Sequence, residues 1–232
     1  DSQVEIGLAA TDYIESGATT GKAGLLEDEP RFDYSGGASC PSLLLEPSRT
    51  QLIGQTEYFA DYSSAGALFI ENATTSPEGV TNATTFEGDG TLTYIRLAQS
   101  ITFSSAGDYT LSVFAKARNN DFALLNFEGF TGSSGVTLGY FDLSDGTTPT
   151  SGASIEAVGT DGWYRCSITA TIDAGDLGGN IVLLNTPSTS SVLFPTAGDA
   201  NGKSVNIYGF QAEAGSYPTS YIPNHSGGSV TR

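Results

Sequence analysis

Strict alternation of apolar and polar residues is the feature that most constrains what this chain can fold into. In the segment WYRCSITATI (Trp163–Ile172), every second residue from Tyr164 onward is apolar, and the residues between them are polar. The segment DYTLSVFAKA (Asp108–Ala117) has a similar two-residue period. Because successive side chains of a strand point to opposite faces of a sheet, each segment predicts a strand with one buried face. Cys166 is predicted to point into the core.

Shorter segments with strand-like composition recur along the chain, separated by turns rich in Gly, Ser and Asp. They are Thr91–Gln99, Phe122–Phe127, Leu138–Leu143, Asn180–Leu184 and Ser204–Ala212. The chain has 29 glycines and no methionine, and no segment keeps the 3.6-residue apolar period of a helix. This pattern predicts an all-β fold, a jelly-roll β-sandwich.

The 232 residues are enough for one sandwich domain with flanking segments. Residues 1–50 are rich in turn-forming residues and are interpreted as an extended N-terminal arm with short strands. Within the arm, Leu43–Leu45 lies between Pro41 and Pro47, which suits an edge strand or a docking segment. Residues 51–222 are predicted to form the sandwich, and residues 223–232 a C-terminal tail.

The charge balance excludes several classes of partner. Nine Lys and Arg face 26 Asp and Glu, so the formal net charge is −17. Nucleic-acid binders need a basic surface, and anionic membranes attract basic segments. We therefore expect neither nucleic acid nor membrane as a partner.

The sequence offers little for catalysis. Its one histidine, His225, lies in the irregular C-terminal part, where no base is positioned for nucleophilic chemistry. Glycoside hydrolysis needs two carboxylates facing each other across a cleft, and no strand carries two glutamates on the same face. A hidden pair among the 26 acids, as in an unrecognised glycosidase or lyase, stays an alternative, but we expect the chain not to be an enzyme.

Two further features have alternative interpretations. Glu57, Asp61 and Glu213 lie where the sandwich begins and ends, and their carboxylates are candidate ligands of a structural calcium ion. Alternatively, they are simply solvated. Cys40 and Cys166 form either one long-range disulfide or two buried free thiols.

Aromatic and basic residues suggest a binding surface. Trp163 and Arg165 share the polar face of one predicted strand, and Tyr94 and Arg96 lie on another. If these strands are neighbours, the four residues form a patch that could stack on sugar rings and bind their hydroxyls. In the alternative, Trp163 packs beneath a loop or the arm.

Several long blocks resemble a module found in many phage and prophage virion proteins, in tail fibres and other surface appendages. The blocks are PRFDYSGGASCPSLLLEPSRTQLI (30–53), TSPEGVTNATTF (75–86), GDYTLSVFAKA (107–117), DGWYRCSITATI (161–172) and IYGFQAEAGSYPTSYIPN (207–224). The resemblance extends over most of residues 30–232. The resemblance implies a non-catalytic β-sandwich of the carbohydrate-binding-module or lectin type.

The expected function is therefore that of a phage virion surface protein (a tail fibre, spike or capsid decoration) that contacts host glycans or neighbouring subunits. Its expected partners are cell-surface or extracellular polysaccharide, other virion subunits and further copies of itself, as a trimer. The alternative is a carbohydrate-binding module of a secreted bacterial polysaccharide-degrading enzyme.

Overall fold

The computed structural model describes residues 31–33, 42–44, 46–190, 193–225 and 227–231, and almost all of its regular structure is β. The strands are β1 (Arg31–Asp33), β2 (Ser42–Leu44), β3 (Thr50–Gln51), β4 (Ser63–Ala65), β5 (Ala67–Thr75), β6 (Thr81–Gly88), β7 (Ile95–Thr102), β8 (Gly107–Ala117), β9 (Phe122–Glu128), β10 (Ser134–Gly135), β11 (Leu138–Asp142), β12 (Ser154–Val158), β13 (Trp163–Ile172), β14 (Gly178–Thr186), β15 (Ser204–Ala214) and β16 (Val230–Thr231). A single 3-10 turn spans Ala197–Ala200 within the described residues.

Two antiparallel sheets form the sandwich and confirm the predicted fold class. The seven-stranded sheet has the order β10-β13-β8-β15-β6-β5, and β12 also pairs with β13. The five-stranded sheet has the order β11-β9-β14-β7-β4. Two short antiparallel pairs, β1 with β2 and β3 with β16, complete the described strands.

The core lies between the sheets and follows the alternation read from the sequence. Leu111 and Val113 of β8 and Ile168 of β13 point inward from one sheet, and Leu125 and Leu183 point inward from the other. Each side chain of this size contributes about 1.5–3 kcal/mol when fully buried. The two-residue period of β8 and β13 thus builds one wall of the core, as predicted.

The outer face of the seven-stranded sheet is covered as well. Residues 215–225, here named the C-terminal segment, cross this face and place the ring of Tyr221 against Phe114 and Tyr208. Pro218 and Pro223 suit this path, because proline lacks a backbone donor and adds no strand pairing. The seven-stranded sheet is therefore buried on both faces at its centre.

A β-bulge in β15 makes room for this segment. The register between β15 and β8 shifts between Tyr208 and Gln211, and Gly209 in the shift has φ +61°. A Cβ at position 209 would lie 3.0 Å from the Tyr221 ring and 3.1 Å from the Phe114 ring. Glycine therefore provides both the left-handed backbone and the space.

The described termini of the sandwich are more closely packed than the sequence suggested. Asn224 is buried, and β16 pairs with β3. Residues 223–231 therefore contribute to the packed body where they are described, although the sequence analysis placed them in a tail. The predicted arm contains β1 and β2, and the rest of residues 1–45 lies outside the described residues.

No helix in the described part of the chain has the length and apolarity of a membrane span.

Candidate functional site

The four residues predicted to form one aromatic and basic patch lie on two different sheets. Trp163 and Arg165 belong to β13 in the seven-stranded sheet. Arg96 belongs to β7 in the five-stranded sheet, and Tyr94 directly precedes that strand. The strands are not neighbours, so the single patch does not form.

Trp163 and Arg165 are also covered. Trp163 is 3% exposed, and its Nε1 donates to the carbonyl of Thr75 at 3.1 Å. Arg165 is half-buried over the Phe114 ring, and its Nη2 donates to Ser112 Oγ at 3.1 Å. Burial lowers the pKa of the Arg165 guanidinium, and nearby glutamates oppose that shift. Trp163 is therefore covered, but by the end of β5 and the cluster that includes Tyr221, where the alternative named a loop or the arm.

Arg96 has its own partner on the opposite side of the molecule. Its Nη2 pairs with Glu128 Oε2 on β9 of the same sheet. The same carboxylate oxygen accepts a hydrogen bond from Asn180 Nδ2 at 3.1 Å. Arg96 is therefore engaged in a local ion pair.

Two of the three predicted calcium ligands are engaged with other groups. Glu213 is fully buried and accepts hydrogen bonds from Gln211 Nε2 and from both the backbone N–H and the hydroxyl of Thr219, while Arg49 Nε lies 3.7 Å from its Oε2. Among the described residues, no group of three or more His, Cys, Asp or Glu side chains is arranged to hold a metal ion. Calcium binding therefore stays a prediction, and the described residues do not form a group of ligands for the ion.

Glu57 lies in a buried polar network with the C-terminal segment. Tyr221 OH donates to its Oε1 at 3.0 Å, Asn82 Nδ2 donates to its Oε2 at 3.3 Å, and His225 Nε2 lies 3.7 Å away. Burial raises the pKa of Glu57 above its ordinary value, while His225 and the Tyr221 hydroxyl act in the opposite direction. His225 thus faces a carboxylate that is almost completely buried.

Cys166 is fully buried in the core, and burial raises the pKa of its thiol well above the ordinary range. Cys40 lies outside the described residues. The pairing of the two cysteines is therefore untested.

A cleft opens at the edge of the five-stranded sheet, where β4 begins. Strand β4 pairs with β7 only over Ser63–Ala65, opposite Arg96–Ala98. Strand β7 continues to Thr102 beyond that pairing, so one edge of its backbone faces the cleft. The cleft has a volume of about 280 Å³ and is lined by residues 54–55, 61–63, 98–100 and 227.

The loop that forms one wall of this cleft is held by hydrogen bonds. Tyr62 OH donates to the carbonyl of Gly54 at 2.9 Å, and Asn224 Nδ2 donates to the carbonyl of Ile53 at 2.8 Å. The backbone N–H of Thr56 donates to the carbonyl of Asn224 at 2.9 Å. These bonds join the loop to the C-terminal segment, so the wall is formed before any ligand arrives.

Two features at the cleft cost folding free energy. Gln55 has φ +55°, a left-handed conformation that costs a non-glycine residue about 1–3 kcal/mol. Gln99 Oε1 is buried without a hydrogen-bond partner among the described residues, a cost of about 1–3 kcal/mol. Both residues line the same cleft. Strain and unpaired polar atoms gather at functional sites, and this coincidence marks the cleft as the candidate site.

The lining suits a small polar ligand with many hydroxyl groups. Asp61 supplies an exposed carboxylate, and the side chains of Gln55 and Gln99 carry both donors and acceptors. Tyr62 contributes an aromatic ring. The volume lies just below the ~300–1,000 Å³ of sites for drug-sized ligands, so it matches a single ring with its substituents.

Sequence reasoning found only Asp61 among these residues, and for a different role. One local signal pointed to Gln99: it occupies an inward-facing position of β7, in phase with buried Ile95 and Leu97. A polar residue at an inward-facing position of a strand indicates that the strand leaves the apolar core at that position. The other lining residues come from separate parts of the chain, and only the fold brings them together.

No protein-family model matches the chain, and no curated protein matches it in sequence. Similar solved structures include the enzymatically active domain of tailspike protein 4 of bacteriophage CBA120, with a TM-score of 0.40 and 11% identity, where the match covers 69% of this chain and 20% of that one. The chain thus spans about a fifth of that tailspike structure.

Two carbohydrate-binding modules are also similar. One is from Cellvibrio mixtus lichenase 5A in complex with cellotriose, with a TM-score of 0.37, 13% identity, and coverage of 72% of this chain and 96% of that one. The other is the C-terminal module of the marine laminarinase LamC from Zobellia galactanivorans, with a TM-score of 0.36, 13% identity, and coverage of 73% and 100%.

Proposed function

We propose that this protein is a non-catalytic, glycan-binding β-sandwich on the surface of a phage virion, as part of a tail fibre, spike or capsid decoration. Its partners are cell-surface or extracellular polysaccharide, other virion subunits and further copies of the chain. The binding site is the cleft at the edge of the five-stranded sheet.

The observation that carries the binding role is Gln99, a residue of the cleft lining whose buried Oε1 has no hydrogen-bond partner among the described residues. A buried acceptor without a partner is a cost to the folded protein. A rotation of the Gln99 amide towards the cleft would let a hydroxyl group of a bound sugar remove that cost. The held loop and the left-handed Gln55 support the same role, because a preformed wall lowers the entropy lost on binding.

The substitution Gln99→Leu separates binding from folding. Leucine has a similar size and removes the unpaired oxygen, so we expect the melting temperature to stay unchanged or to rise. The affinity for a bound oligosaccharide, first identified on a glycan array and then measured by calorimetry, should fall by roughly two- to tenfold with the lost hydrogen bond.

Trp163→Phe is the matched control, because it alters the covered face of the other sheet and leaves the cleft intact. We expect it to keep the wild-type affinity. If Gln99→Leu binds as tightly as the wild type, or if no glycan on the array binds at all, the proposed site is wrong.

The virion assignment rests on the sequence resemblance, and the cleft suits a binding module of a polysaccharide-degrading enzyme equally well. Mass spectrometry of purified phage particles tests the assignment: the chain should be present as a structural component. If the chain is instead found only as part of a secreted polysaccharide-degrading enzyme, the second function is favoured.

The absence of catalysis is tested separately. The purified chain should release neither reducing ends nor unsaturated products from any polysaccharide that it binds. The described carboxylate nearest to a histidine, Glu57, is almost completely buried under the C-terminal segment, where a polysaccharide has no access. Product release that the wild type shows and Asp61→Asn loses would instead assign an enzyme.

A further inference from the structure

We infer that the edge cleft selects sugar residues without acidic groups and binds an amino sugar more tightly than the corresponding neutral sugar. This inference rests on the proposed glycan-binding function and names the class of ligand for the same site. It depends on three observations: the charge of the lining, the unpaired acceptor, and the charge of the whole molecule.

The first observation is the sign of the charge in the cleft. Of the nine described residues that line it, Asp61 alone has a charged side chain, and none has a positive one. A uronate or sulfate group would therefore meet a like charge with no cation to offset it. Polysaccharide sites for acidic sugars need the opposite arrangement, because a carboxylate or sulfate is bound best by Arg or Lys.

The second observation is the acceptor that has no donor. Gln99 lines the cleft, and its Oε1 is buried beside it with no partner among the described residues, so a rotation of the amide presents this acceptor to a ligand. Asp61 offers two further acceptor oxygens. An ammonium group has three donors and a positive charge, so it satisfies acceptors of this kind better than a hydroxyl with its single donor. Hydroxyl-rich neutral sugars still bind, since each hydroxyl also donates.

The third observation acts at long range. The formal net charge of −17 places the cleft on a strongly negative protein. Such a field lowers the local concentration of anionic polymers and raises that of cationic ones, and it weakens as salt is added. The local and the overall charge therefore favour the same class of ligand.

The test is a glycan array of matched sets: for each backbone, a neutral oligosaccharide, its amino-sugar counterpart and its uronate counterpart, at a pH that keeps the amine protonated. We expect the amino form to bind roughly two- to fivefold more tightly than the neutral form, the range of an exposed ion pair, and the uronate to bind least. High ionic strength should shrink these ratios.

Asp61→Asn should bring the ratio between amino and neutral forms close to one while the neutral form still binds. Asp161→Asn, which removes one exposed acid in a turn outside the cleft, is the charge-matched control and should keep the wild-type ratio. Uronates that bind as tightly as neutral sugars, or a ratio unchanged in Asp61→Asn, would overturn the inference and leave glycan binding intact. Binding to no member of any set would overturn the proposed function itself.

Discussion

Glu57 both stabilises the folded protein through its hydrogen bonds and destabilises it through the burial of its charge. Its carboxylate accepts hydrogen bonds from Tyr221 and Asn82 and so ties the C-terminal segment to the start of the sandwich. Burial nevertheless removes water from the charge and raises the pKa of Glu57. The charged form is thus less stable in the folded protein than in water, even with His225 at 3.7 Å.

This shift predicts the sign of a pH effect. The folded protein holds the Glu57 proton more tightly than the unfolded chain does. Between the ordinary glutamate pKa and the raised one, it therefore binds more protons than the unfolded chain, and the free energy of unfolding falls as pH rises. Glu57→Gln removes this contribution. In urea titrations, the stability of the wild type relative to Glu57→Gln should decline from the ordinary glutamate pKa upward.

Asp161→Asn is the control for this series, because its side chain is exposed in a turn. Its stability relative to the wild type should change much less with pH. A constant difference between the wild type and Glu57→Gln across the whole series would show that burial of the carboxylate has no such cost.

For single residues, the sequence predicted which face of a sheet a side chain occupies better than it predicted the role of that side chain. The alternation of β13 placed Cys166 in the core and Trp163 on the opposite face, and both positions are confirmed. That Trp163 is covered could not be decided, because Tyr221 and Thr75, which lie against that face, are distant in sequence. Gln99 has a local signal in the phase of β7, but it was missed as a site residue because most of the residues around it in the cleft are distant in sequence.

At the scale of an element, β15 depends on one glycine. Val205 and Ile207 point into the core before the bulge, and Phe210 and Ala212 do so after it. The extra residue at Gly209 therefore reverses the phase of the strand and turns Glu213 to the outer face. Unbroken alternation would have put that glutamate into the core.

Gly209→Ala should destabilise the protein through two effects. The left-handed backbone costs about 1–2 kcal/mol for a residue with a Cβ, and the new methyl group would press on the Tyr221 and Phe114 rings. Gly202→Ala is the matched control: its φ is +66°, and a Cβ there meets nothing within 4 Å. Urea unfolding should give a larger loss for position 209 than for position 202.

The difference between these two variants measures how tightly the C-terminal segment packs over the bulge. Trp163, the single tryptophan, lies in the same cluster as Tyr221, so its fluorescence reports whether the cover loosens. Equal losses of stability with an unchanged emission spectrum would contradict the close packing.

The bounds of the elements were predictable where the alternation is unbroken. The bounds of β13 agree with the sequence analysis at both ends, and β8 begins one residue earlier than predicted. Strand β5 was not assigned, because its pairing with β6 shifts register after Ile70 and Asn72 has φ +52°, which interrupts the two-residue period. Bulges are set by contacts between strands, so a local pattern does not reveal them.

At the scale of the whole molecule, charge and apolar surface set opposite conditions for assembly. A net charge of −17 makes copies of the chain repel each other, so self-association needs buried apolar area. Large apolar side chains are rarely exposed in the described part of the chain. Leu68 at 51% and Ile70 at 49% are exceptions, and they lie two residues apart on β5, at the edge of the seven-stranded sheet.

The proposed trimer therefore predicts a specific response to salt and to substitution. Native mass spectrometry should give three times the 24.0 kDa of the single chain, and sedimentation should show that higher ionic strength strengthens the assembly by screening the repulsion. Leu68→Lys with Ile70→Lys should yield a monomer, since the exposed apolar pair is lost. Asp161→Lys changes the net charge by the same amount at an exposed turn and should leave the trimer intact.

A wild type that stays monomeric at every ionic strength would rule out self-association. Dissociation in both variants would instead show that the β5 edge has no special part in assembly.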